Sequence, residues 1–174
     1  MQVAIIGAGP LGRRLALAAA RAGYGVLLED VMPSNLHHAQ EYLRQELGPG
    51  ALPSVRFVST IEEAVREADL AIDCVPDELE SKLEILWLLD RMSPPYTVFA
   101  TPTTQMSIED LASCTYRADK CIAIVAEPRV LAELEGTEGV AIPLRTGPAT
   151  SLETMDLVAD FWRQLGFTTT VGRG

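Results

Sequence analysis

Histidine is almost missing from this chain: two occur in 174 residues, and they are neighbours, His37 and His38. Both fall in a predicted helix and read as solvent-exposed side chains, so no metal centre is expected from them. Cysteine is scarce too, with Cys74, Cys114 and Cys121 at spacings that suit no metal site. Cys74 and Cys121 lie in apolar, strand-like runs and read as small buried hydrophobes. An odd number of cysteines and no signal-peptide pattern point to a reducing, cytoplasmic setting. Basic residues number 14 against 24 acidic ones, for a net charge of −10, and form no cluster. That excludes nucleic acid as a partner and leaves the acidity to serve solubility. No apolar run is long enough to cross a bilayer. Neither a repeat nor a low-complexity linker divides the chain. What remains is a globular sequence, 48% apolar, read as one domain over residues 1–174.

What is present is concentrated in the first thirty residues. Gln2 to Ile6 is an apolar run with the pattern of a buried strand. Gly7-Ala8-Gly9-Pro10-Leu11-Gly12 follows at once, then an alanine-rich helical run from Leu11 to Ala22. Gly23 stops the helix, Val26-Leu27-Leu28 reads as a second strand, and Glu29-Asp30 closes it. Strand, glycine turn, helix, strand and terminal acid make the order of a dinucleotide site. Gly7 permits the tight turn, Gly9 lets the backbone approach a pyrophosphate, and Gly12 lets helix and strand pack closely. The free N–H groups and positive dipole end of the helix face the phosphates. Asp30 stands where a carboxylate can bond the ribose hydroxyls, which predicts NAD over NADP because it would repel a 2′-phosphate. Val31 and Met32 bring no compensating cation, and Arg13 and Arg14 read as residues of the solvent face.

The rest of the chain alternates in the same manner. A helix of about a dozen residues after Ser34 ends near Gly48-Pro49-Gly50. Val55 to Val58 is a third strand, and Thr60 with Glu63 caps a helix from Ile61 to Glu67. Asp69 to Val75 is a fourth strand, apolar throughout as in a central parallel position. A helix from Leu79 to Met92 stops before Pro94-Pro95, and Tyr96 to Ala100 is a fifth strand. Ser107 caps a short helix, Cys121 to Ala126 is a sixth strand and Val140 to Ile142 a seventh. An amphipathic helix from Leu152 to Leu165 and a strand from Thr168 to Val171 close the pattern. This predicts a single-domain α/β fold of the Rossmann-like type, a doubly wound and mostly parallel sheet, with its ligand at the C-terminal ends of the strands.

Three later stretches narrow the reading. They are Ala68-Asp69-Leu70-Ala71-Ile72-Asp73-Cys74-Val75-Pro76-Asp77, then Glu80-Ser81-Lys82, then Ala100-Thr101-Pro102-Thr103-Thr104 with Ser107-Ile108. With the glycine turn, they resemble the NAD-binding domain of the 3-hydroxyacyl-CoA dehydrogenases over nearly the whole chain. The resemblance implies NAD as cofactor, an acyl-CoA-like small molecule as substrate and a place in fatty acid metabolism. It extends the cofactor-binding set from Gly7, Gly9, Gly12 and Asp30 to Pro10, Leu11, Val75, Pro76, Asp77, Lys82 and Thr101. Asp77 matches a carboxylate near the nicotinamide ribose, and Lys82 a lysine facing cofactor and substrate.

The catalytic side of the resemblance is broken. Members of the family use a histidine base, oriented by a carboxylate, with a serine and an asparagine on the substrate oxygen. Here the histidine position falls on Val125, the asparagine position on Glu127 and the orienting glutamate near Pro143. The serine position alone keeps a hydroxyl, as Thr104. Glu127 beside Pro128 is a loop acid, and with Thr104 it is the catalytic candidate that remains. Asn35 to Pro53 has room for one helix where the family carries an additional hairpin. The family's helical C-terminal domain, which closes the cleft and builds the dimer, has no counterpart before Gly174. The chain is therefore expected to be a complete single domain or one piece of a split enzyme. It is read first as an NAD(H)-binding or sensing module without efficient dehydrogenase activity alone. The alternative is an active oxidoreductase that uses Glu127, Thr104 or a partner chain. Without the covering domain, Trp162 is expected at the surface of the last helix. That leads to a homodimer or a separate helical partner chain over the patch.

Overall fold

The computed structural model describes residues 1–126, 131 and 141–173. In chain order the elements are β1 (Gln2–Ile6), α1 (Pro10–Arg21), β2 (Gly25–Glu29), α2 (Pro33–Ala51) and β3 (Val55–Val58). They continue with α3 (Ile61–Val65), β4 (Leu70–Asp73), α4 (Leu79–Met92), β5 (Val98–Pro102) and α5 (Ile108–Ala112). The last four are β6 (Cys121–Ile124), β7 (Ala141–Thr146), α6 (Leu152–Gln164) and β8 (Thr168–Arg173). The sheet order is β3-β2-β1-β4-β5-β6-β7-β8. The first six strands run parallel, β7 is antiparallel to β6, and β8 is parallel to β7. This is the doubly wound, mostly parallel sheet expected from the alternation of strands and helices. Its order reverses between β1 and β4, which opens a crevice at their C-terminal ends.

Each strand of the parallel core is apolar on both sides because both sides are covered. Val3, Ile5, Val26, Leu28, Leu70 and Ile72 point into a core shared with α1, α2 and α6. Their neighbours Ala4, Ile6, Leu27 and Ala71 point into a second core, shared with α3, α4 and α5. The two-residue period of a strand divides the side chains between these layers. Hydroxyl caps set three helix starts: Thr60 accepts from Glu63 N, Ser107 from Glu109 N and Asp110 N, and Ser151 from Thr154 N. The helix after β2 starts one residue before Ser34 and carries a break at Gly48, whose φ is +65°. The fifth strand begins two residues later than expected. Thr97 N bonds Pro94 O in a turn, which uses the chain before Val98.

One expectation is overturned. Trp162 is 1% exposed and belongs to the core. It packs edge-on against Phe161 and Phe167, with both ring centroids at 5.6 Å. Val158, Phe161, Trp162 and Leu165 follow the spacing of one helix face, so the neighbouring Arg163 does not draw the indole outward. The patch on which self-association was expected is thus filled by the domain's own side chains.

Candidate functional site

The turn from β1 into α1 is built on two glycines that answer to different neighbours. Gly7 has φ +101°, and a Cβ on it would stand 3.3 Å from the Cys74 backbone. Its N–H bonds Glu29 O at 2.8 Å, which ties the turn to β2. At Gly12 a Cβ would lie 1.8 Å from Gly7 O, so helix and turn come into contact only because no side chain intervenes. Gly9 differs from both. A Cβ there meets nothing within 4 Å, and its open side is the cleft. Gly9 is also the N-cap of α1, where no side chain caps the helix, Pro10 takes a first-turn position and no acid occupies that turn. The exposed amide end is therefore left to an anion.

Above the turn lies a cleft of about 740 Å³. Gly7, Gly9, Pro10 and Leu11 form its floor, Asp30 one end, and Val75, Pro76 and Asp77 the other. These are eight of the cofactor residues expected from the sequence. Asp30, 8% exposed, accepts from Ala8 N at 2.9 Å, Met32 N at 2.8 Å and Asn35 Nδ2 at 3.0 Å. Three donors hold a carboxyl group whose two oxygens offer further acceptor positions. Asn35 was not singled out in the sequence; an amide in the first turn after the strand-end acid was the available signal. Asp77 Oδ2 accepts from Thr104 N at 3.2 Å, while its Oδ1 is buried with no partner. That bond joins the loop after β4 to the loop after β5, which brings Asp77, exposed Thr104 and the cleft residue Gln105 together.

Three expected cofactor residues stand back from the cleft. Gly12 is buried behind the turn. Lys82 does not face the cofactor space: it is fully buried, with Nζ 2.9 Å from Asp73 Oδ2. The Thr101 hydroxyl donates to the same Asp73 oxygen at 2.9 Å. An acid at the end of an apolar strand requires buried partners, and Lys82 and Thr101 supply them. Val125 donates its N–H to Pro143 O at 2.7 Å. Glu127 lies outside the described residues. His37 and His38 are exposed on α2, and His37 Nε2 stands 3.5 Å from Glu41.

Two further titratable groups line the cleft. Burial pushes the Cys74 thiol up, with a further rise from Asp73, so it is no nucleophile. Glu29, the last residue of β2, is 3% exposed, and its Oε1 is buried with no partner. Burial, and then the charge of Asp30, push its carboxyl up to about 7. Among the described residues no group of three histidine, cysteine or acidic side chains could hold a metal ion, and no helix is long and apolar enough to cross a membrane. An open cradle at Gly9, an uncapped helix end and an acid at the end of β2 fit a dinucleotide.

The comparisons agree with that fit. The family model described as 3-hydroxyacyl-CoA dehydrogenase, NAD binding domain, matches residues 2–172. The Probable 3-hydroxybutyryl-CoA dehydrogenase of Bacillus subtilis is 28% identical over 171 residues, which are 90% of this chain and 58% of the relative. The L-carnitine dehydrogenase of Burkholderia mallei is 30% identical over 178 residues, 94% of this chain and 52% of that protein. The chain thus spans a little over half the length of these relatives. The crystal structure of (S)-3-hydroxybutyryl-CoA dehydrogenase from Ralstonia eutropha superposes with a TM-score of 0.87 at 22% identity, over 99% of this chain and 63% of that one, and so shares the fold. A match that runs from the first strand to the last, over a cleft built for a dinucleotide, makes this chain a member of the 3-hydroxyacyl-CoA dehydrogenase family through its NAD-binding domain, with NAD as cofactor.

Proposed function

We propose that this domain holds NAD(H) with its pyrophosphate at the N-terminus of α1, its adenosine ribose on Asp30 and its nicotinamide ribose toward Asp77. We further propose that the domain alone is a cofactor-binding or sensing module and not an efficient dehydrogenase. Bound NAD supplies a hydride acceptor; removal of the hydroxyl proton from a 3-hydroxyacyl thioester falls to the protein. The reading rests on Val125, the apolar residue just after β6 that the resemblance puts at the family's base position, in a chain whose two histidines are exposed on α2. Loss of a positioned base costs roughly 10²–10⁴-fold in rate.

A second reading, an active oxidoreductase on an acyl-CoA-like substrate, is supported by Thr104. Its hydroxyl side chain is exposed beside Asp77, where it could hold a substrate oxygen, with Glu127 or a residue of a helical partner chain or second copy as the base. Three free cysteines suit a cytoplasmic setting for either reading. Calorimetric titration with NADH and NADPH, followed by a turnover assay with a 3-ketoacyl-CoA, separates the two readings. The first expects NADH binding, a preference over NADPH that Asp30→Ala abolishes, and negligible turnover. Turnover of roughly 1–10³ per second would instead establish the second.

A further inference from the structure

Glu29 is left unexplained by the dinucleotide site as described. It is a buried carboxylic acid at the end of β2, in the wall of the cleft. The apolar residues Ile6, Ile61 and Ile85 line the same cleft. Glu29 Oε1 is shut off from solvent and bonded to nothing. A buried polar atom without a partner costs free energy in proportion to its desolvation, so the wall holds an unmet hydrogen-bonding demand. Asp30 follows Glu29 directly and marks the adenosine end of the cleft. The part of the cleft beyond it, between α3 and α4, is therefore the place left for the base of that nucleoside.

We propose that Glu29 is an adenine-contacting residue that acts as a neutral carboxyl, donating its proton to a ring nitrogen, so that dinucleotide binding draws one proton from solvent. The inference rests on the NAD(H) reading above. Adenine presents three ring nitrogens that accept and a single amino group that donates, so a protonated carboxyl has more complementary edges than a carboxylate. The electrostatics agree. Asp30 adjoins Glu29, Cys74 and Asp77 line the same cleft, and Glu62 and Glu63 open α3. Lys82 of α4 is committed to Asp73. Of these groups, Asp30 acts on Glu29, after burial itself, and both effects hold its carboxyl up to about 7. A bound dinucleotide adds two phosphate charges and expels water, and both changes favour the protonated form further.

The test is calorimetry with NADH and with ADP-ribose, which keeps the adenosine and the pyrophosphate but lacks the nicotinamide, from about pH 5.5 to about pH 8.5. Each titration is run in buffers of differing ionisation enthalpy, so that the heat reports protons taken up. The wild-type domain is expected to bind both ligands more weakly by about tenfold over the upper half of this range, with proton uptake that approaches one per site. Glu29→Gln, which keeps a donor and an acceptor but does not titrate, is expected to bind with a flat profile and no uptake. A flat wild-type profile overturns the proposal, as does a slope that Glu29→Gln retains. A slope present with NADH and absent with ADP-ribose overturns the adenine contact. The wild-type titration stands without the variant if Glu29→Gln fails to fold. Failure of NADH to bind even at the acid end would refute the NAD(H) reading itself, and this inference with it.

Discussion

Lys82 Nζ donates to Asp73 Oδ2 across 2.9 Å, and neither side chain is more than 1% exposed. The other Asp73 oxygen accepts Val75 N–H at 3.0 Å, at the start of the segment that carries Val75, Pro76 and Asp77 to the cleft. The pair therefore holds the loop that forms one end of the cofactor site, although neither member reaches that site. Lys82→Met leaves an uncompensated buried carboxylate and is expected to cost about 3–5 kcal/mol. Adding Asp73→Asn should recover part of that loss. Urea denaturation of the two variants reads both effects, and a Lys82→Met protein as stable as the wild type would contradict the pair's structural role.

The glycines of the turn separate folding from binding. Gly12→Ala drives a methyl group into Gly7 O, at 1.8 Å before relaxation, and should lower the melting temperature markedly. Gly9→Ala adds a methyl that meets nothing within 4 Å of protein, so the domain should melt as the wild type does. It should nonetheless lose NADH affinity, because that methyl occupies the space of the pyrophosphate. Thermal melts beside calorimetric titration check the contrast. Unchanged NADH affinity in Gly9→Ala would mean that the phosphates lie elsewhere.

Glu29 also makes stability depend on pH. Its carboxyl is held up to about 7 in the folded chain, against an ordinary value of 4.5. Between those values the folded state binds more protons than the unfolded one, so stability falls as pH rises through the interval. Glu29→Gln removes this contribution and leaves the others. Its stability relative to the wild type should rise by roughly 2–3 kcal/mol from pH 4.5 to above pH 7. Denaturation at the two ends measures the difference; a constant offset would show that Glu29 titrates normally.

The two tryptophans supply an optical check of the closing helix. Trp87 is 44% exposed, and Trp162 1%. With Trp87→Phe in place, the remaining emission should be blue-shifted and almost insensitive to iodide. Strong quenching would return Trp162 to the surface.

The first half of the chain was legible because each signal there is local. The glycine turn leads directly into its helix, the Thr60 cap acts within three residues of itself, and the alternation of strands and helices pointed to the sheet. What escaped depends on neighbours brought in by the fold. Asp73 lies nine residues from Lys82 and twenty-eight from Thr101, so nothing in the sequence joins them. Yet an acid inside the run Leu70-Ala71-Ile72-Asp73 was itself a sign that buried partners must exist. Trp162 was misplaced because its neighbour Arg163 was given more weight than its spacing from Val158. Glu29 was passed over beside Asp30, since a strand-end pair of acids does not reveal which member turns into the wall. The match to one family carried the cofactor further than the chemistry, because the glycine turn is an unbroken local motif.

Helices α3, α5 and α6 each begin on a hydroxyl that belongs to the chain, while α1, like α2 and α4, begins on no side chain, and its Gly9, Pro10 and Leu11 line the cleft. On the reading proposed above, phosphate oxygens of the dinucleotide complete that end of α1 from outside. A ligand that binds only the folded state adds about 2.7 kcal/mol when present at a hundred times its dissociation constant, a sizeable fraction of a domain's margin of about 5–15 kcal/mol against unfolding. The amount of this protein that survives proteolysis in a cell is thereby coupled to the supply of the dinucleotide, whether or not any hydride is ever transferred.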